Sequence, residues 1–158
     1  MNLPSVVLWG LSATAVMTTA MAAGQGLGLT RMSIPFLVGT IFTPARDRAM
    51  VLGVLAHFVN GFIFALLYAW VFESVRMATW WFGAGIGLMH ALFVLTVGMA
   101  MLPGLHPHMV SEYYGPTPNR LLQPPGFLAL NYGRRTPIVT TLAHMLYGGI
   151  LGGFYTLA

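Results

Sequence analysis

The chain has 158 residues, of which 57% are hydrophobic and 6% charged, and its mean hydropathy is +0.77. A soluble domain carries about a quarter charged residues, so water is excluded as the main solvent. The net charge of +4 rests on seven arginines and three acids, with no lysine, no cysteine and no basic run interleaved with aromatics; this excludes nucleic-acid binding, disulfides and thiolate sites.

Four uncharged stretches reach the roughly 20 apolar residues that a bilayer crossing needs: 4–29, 49–72, 79–102 and 137–157. The first lacks a positive n-region and exceeds the length of a signal-peptide core, so it reads as a retained helix. Its Ser12, Ala15, Thr19, Ala22 and Gly26 recur at three- and four-residue steps on one face and predict a tight bundle or an oligomer. The segment "SIPFLVGTIF", 33–42, is too short to cross. Ser33 as a cap, with Pro35 in the first turn, predicts a short helix at the interface or dipping into the membrane.

The second span carries "LAHFVNGFIFALLY", 55–68, and the fourth carries "LAHMLYGGILGGFY", 142–155; Leu, Ala, His, Gly, Ile and Tyr recur at the same offsets. Two spans running the same way with this match predict two tandem helix pairs, with units 1–73 and 79–158 and a pseudo-two-fold axis along the membrane normal. In the third span Gly83 and Gly87 form a GxxxG continued by His90, Val94 and Gly98. In the fourth, Gly148–Gly152 and Gly149–Gly153 overlap. Both patterns predict close helix approach. Segment 103–136 is rich in proline, aromatics and leucine, which predicts an ordered loop, either a docking surface for a partner or a segment resting on lipid headgroups. The fold class expected is therefore an all-α, polytopic membrane four-helix bundle made of two tandem hairpins, a single domain over 1–158.

Arginine sets the orientation. Arg31, Arg46 and Arg48 lie between the first two spans, and Arg120, Arg134 and Arg135 between the last two. Arg76, beside Glu73, is alone on the other face. The positive-inside rule puts the six-arginine face in the cytoplasm and both termini outside.

Ionisable groups within spans are functional candidates by default, and here they are His57, His90 and His144. At 1.5 Å rise per residue, His57 and His144 lie at nearly one depth, about 11–12 Å from the cytoplasmic end, with His90 about one turn deeper. One reading is structural: buried imidazoles hydrogen-bonded by Asn60, Tyr147, Thr140, Thr141 or backbone. A second is axial ligation of haem b by His57 and His144, with Gly61 and Gly148 leaving room for the macrocycle and Arg46, Arg48, Arg134 and Arg135 meeting propionates or lipid. A third is a metal site or proton relay that adds His90; separately, His106 and His108, near Met99, Met101 and Met109, offer soft copper ligands or simply mark a turn. Asp47 sits between two arginines, and Glu73 and Glu112 are expected on opposite faces, so no carboxylate pair supports acid–base catalysis.

The succession "GLSATAVMTTAM", "MSIPFLVGTIF", "LAHFVNGFIFALLYA", "GIGLMHALFVL" and "LAHMLYGGILGGFY" resembles a family of small bacterial four-span inner-membrane proteins, a domain of unknown function. The resemblance covers most of the chain outside 103–136. It implies a bacterial inner-membrane location and carries over no catalytic residue. The function expected is a non-catalytic subunit or binding module of a membrane complex, set in the lipid bilayer as a homo-oligomer or part of a larger assembly. The alternatives are a haem b electron-transfer subunit and a small oligomeric transporter or channel.

Overall fold

Capping chemistry and proline set the helix starts. In the computed structural model, which describes residues 1–111 and 115–158, Asn2 accepts from the Ser5 N–H at 3.2 Å and α1 runs Leu3–Gly26 with Pro4 in its first turn. Ser33 accepts from the Phe36 N–H at 3.4 Å and opens the short α2, Ile34–Gly39, with Pro35 in the first turn as expected. The second span is α3, Arg46–Val75, closed by Arg76 in the left-handed conformation (φ 53°). Thr79 caps α4, Trp80–Phe93, at the Phe82 N–H. The third span continues through a π-turn, Val94–Gly98, into α5, Met99–Leu105. Pro103 lies inside α5, lacks an N–H and crowds the carbonyl four residues back; the helix ladder adjusts in the wider turn just ahead of it. The fourth span is α6, Thr136–Phe154. The placement expected for Glu112 lies outside the described residues.

The spans alternate in direction. The Asn2 N–H meets Tyr155 Oη at 2.9 Å at one end of α1, and Thr30 and Thr136 share a hydroxyl hydrogen bond of 2.8 Å at the other. α1 packs between α3 and α6, and α6 packs on α4. The backbones of α3 and α4 stay apart. Aromatics fill that seam instead, with Phe64 stacked on His90 at 4.0 Å and Phe72 tilted on Phe82 at 6.0 Å.

The repeated glycine does the same job in each hairpin. A Cβ on Gly61 would lie 2.2 Å from Thr14 Oγ1 of the preceding span, and one on Gly148 would lie 2.1 Å from Gly83 O of its preceding span. Only glycine permits either approach. In span one the small-residue face is not the one packed within the chain. Ala15, Thr19, Ala22 and Gly26 are exposed and Ser12 only half-buried, while Val6, Gly10, Ala13, Thr14, Met17, Met21 and Gly24 form the packed face. α1 carries small residues on two faces, and the partner decides between them: α3 presents Ala65 to Gly10 and Gly61 to Thr14.

The short α2 dips onto the start of α3. A Cβ on Gly39 would stand 1.7 Å from Ala49 O, and one on Gly53 would stand 1.7 Å from Pro35 O, so the two backbones touch. The segment after α5 folds back on the same end of the bundle. His106, Met109, Pro125, Ala129 and Tyr132 are buried there, Tyr132 donates its hydroxyl to Gln123 O at 2.6 Å, and the Arg31 N–H donates to Tyr132 O at 2.7 Å. Trp70, Trp80 and Trp81 are exposed at the opposite end, as interfacial aromatics are.

A histidine-lined cavity inside the bundle

His57 of α3 and His144 of α6 are both buried, and His90 of α4 is half-buried. All three line one cavity of about 180 Å³, with Met17, Ile34, Leu37, Val38, Asn60, Phe64, Met99 and Tyr147 also in its wall. A second cavity of about 170 Å³ lies beside it. It shares Met17, Ile34, His57 and His144 and adds Thr140, Thr18 and Gln25. α2 covers both: Ile34 faces each, and Leu37, Val38 and Ile41 close the first. Among the described residues no charged side chain lines either one.

Each imidazole is held differently. His144 donates Nδ1–H to Thr140 O at 2.8 Å, one turn back on its own helix. His90 meets Tyr68 Oη through Nδ1 at 3.3 Å and sets its ring edge-on to His144 with centroids 4.7 Å apart. The His90 and His144 rings thus meet across α4 and α6. His57 has no hydrogen-bond partner among the described residues. Thr140 Oγ1 is a buried hydroxyl without one. Tyr147 does not serve a histidine; it donates to Gly61 O at 2.6 Å across the bundle. Tyr68, which bonds His90, escaped sequence reasoning because its partner lies across the α3–α4 seam.

The residues do not fit haem. The room expected beside Gly61 and Gly148 is taken by Thr14 and Gly83, so those glycines serve helix contact and leave no slot for a macrocycle. Arg46, Arg48, Arg134 and Arg135 are exposed, none lines the cavity, and the Arg46 guanidinium lies 5.8 Å over the Phe36 ring. Nor do the three intramembrane histidines converge on an ion: no group of three or more His, Cys, Asp or Glu side chains among the described residues is set to hold one.

His106 and His108 are spent on holding α2. His106 Nδ1 accepts from the His108 N–H at 3.1 Å, so Nε2 carries the proton and reaches Leu37 O at 3.0 Å and Thr40 Oγ1 at 3.2 Å. His108 donates Nδ1–H to Thr40 O at 2.6 Å. Burial lowers the His106 pKa below its usual value, against the smaller opposing effect of the Leu37 carbonyl. The copper reading fails here, since both imidazoles are turned to backbone and Met101 faces outward while Met109 is buried.

At the other end, Glu73 accepts from Tyr155 Oη and the Ala158 N–H, each at 2.8 Å, and pairs with Arg76 at 3.3 Å. Four helices long and apolar enough to cross a membrane, packed around an uncharged, histidine-lined cavity, define an all-helical multi-pass membrane protein. Comparison with protein-family models, with curated proteins and with solved structures finds no match.

Proposed function

We propose that the protein is a non-catalytic binding module of a membrane complex, and that it binds in the cavity walled by His57, His90 and His144. The observation that carries this reading is hydrogen-bonding capacity left unspent at the cavity wall: the His57 ring has no hydrogen-bond partner among the described residues. Buried polar groups are nearly always satisfied, and leaving one unpaired costs about 1–3 kcal/mol. A bound molecule that bonds the imidazole removes that cost. Among the described residues no carboxylate lines the cavity, which argues against proton-coupled chemistry there.

The same reading covers setting and assembly. The family resemblance supports a bacterial inner membrane, and the arginine distribution supports a cytoplasmic α2 end with both termini in the periplasm. The outward Ala15–Thr19–Ala22–Gly26 face of α1, unused within the chain, suits a second copy or a partner helix. The test of binding is direct. Protein purified in mild detergent is extracted with solvent and the extract analysed by mass spectrometry, beside a Val38→Phe variant that fills the cavity from α2. A molecule recovered near one per chain, and lost in the variant, supports the module. Nothing recovered, with no saturable binding of any probe, removes it. Single cysteines placed at Asn119 and Ser74 of this cysteine-free chain test orientation, and labelling of Asn119→Cys from outside intact cells would reverse it.

A further inference from the structure

The chemistry of the wall narrows what the cavity takes. Each cavity, at about 170–180 Å³, exceeds the roughly 10–15 Å³ that one water needs. The wall of the first is mostly Met, Ile, Leu, Val and Phe, and an apolar cavity of this size accepts a single aromatic ring. Among the described residues no charged side chain lines it, and a buried unpaired ion there would be costly. Yet the wall is not purely apolar: His57, without a hydrogen-bond partner among the described residues, opens on it.

We propose that the first cavity binds one uncharged six-membered ring bearing carbonyl or hydroxyl oxygens, of the quinone or phenol class, seated against Phe64, Met17 and Met99 and hydrogen-bonded at an oxygen by His57. His144 is committed to the Thr140 carbonyl and His90 to Tyr68, so these two shape the pocket while His57 receives the ligand. This inference rests on the binding-module reading and adds its ligand class.

The experiment is isothermal titration of the full chain in detergent with three probes: a decyl-substituted benzoquinone, its tailless parent ring, and decylbenzene, which has the tail and ring without oxygens. Both quinones should bind at one per chain, with decylbenzene weaker by about tenfold or more, the scale of one lost buried hydrogen bond. Preference for the tailed quinone identifies a membrane-dissolved source, and equal affinity identifies a free ring compound. His57→Leu should weaken quinone binding by about tenfold. Should His57→Leu not fold, the parent's preference for the quinones over decylbenzene still decides the oxygen contact. Decylbenzene binding as tightly as the quinones, or unchanged quinone affinity in a folded His57→Leu, overturns the proposal. A metal ion recovered from the purified protein instead of a ring compound overturns the ligand class but leaves the binding module standing; no saturable binding and nothing extractable removes both.

Discussion

Replacing Gly39 with alanine should loosen the cover of the cavity, and the structure sets the size of the effect. The new Cβ would stand 1.7 Å from Ala49 O and 2.6 Å from Ala49 C, both backbone atoms of α3. Neither is the end of a side chain that can swing away. Ordinary contact begins near 3.4 Å, so α2 must retreat by roughly 1.5–2 Å, and small-to-large changes in packed interiors cost about 1–3 kcal/mol. Gly53→Ala meets the reciprocal clash with Pro35 O and should cost a similar amount. Gly85→Ala is the internal control. It is exposed on α4, nothing lies within 4 Å of its Cβ position, and alanine in a helix interior is favoured by about 0.5–1 kcal/mol. The assay is equilibrium unfolding in mixed micelles, followed by circular dichroism. The three variants should separate by sign, with Gly39→Ala and Gly53→Ala below the parent and Gly85→Ala at or above it. A Gly39→Ala protein as stable as the parent would refute the backbone contact between α2 and α3, and with it the closed cavity.

Three further outcomes follow from the same contacts. Tyr147→Phe removes the hydroxyl bonded to Gly61 O and should cost about 0.5–1.5 kcal/mol in the same unfolding assay, with no change if that hydrogen bond is absent. The latch of His106 and His108 on α2 should weaken in acid. Because the folded His106 pKa is lowered, its contribution is fully present above about pH 6.5 and is lost as pH falls below that. A spin label at Ile41→Cys should therefore gain mobility below about pH 6.5, and His106→Gln should flatten that profile; a flat profile in the parent rejects the latch. Ala15→Phe on the outward face of α1 should leave the unfolding midpoint of the chain unchanged and shift its oligomeric state in analytical ultracentrifugation, whereas an unchanged state would separate that face from assembly.

The four spans, the short capped helix and the inward-facing His57 and His144 were legible in the sequence, because each follows from a local rule: apolar length, cap chemistry, or glycine spacing. What was not legible depends on which surfaces meet. α1 offers two small-residue faces, and nothing in its own sequence says that Ala65 and Gly61 will select the one with Gly10 and Thr14. The contacts of His90 with His144 and Tyr68 were not legible for a related reason, because they depend on α4 meeting α6 and on an α3–α4 seam filled by rings. Gly61 and Gly148 were read as space for a cofactor, and the structure spends that space on neighbouring helices.

The matching segments explain the asymmetry of the site better than their likeness does. The shared glycine keeps one task in both hairpins, whereas the shared histidine does not, and the difference traces to the residue four places before each. Before His144 stands Thr140, whose carbonyl accepts the Nδ1–H. Before His57 stands Gly53, whose missing side chain lets Pro35 of α2 lie against the backbone. The position that in one hairpin belongs to a histidine's own turn is in the other given over to docking the covering helix. The next divergence points the same way. Tyr147 reaches across to Gly61 O and ties the hairpins together, while its counterpart Asn60 is short, exposed, and part of the cavity wall. One half of the matched pair is therefore committed to holding the bundle closed. The other keeps an imidazole unpaired beneath a short helix, and that is where chemistry with a small molecule has room to occur.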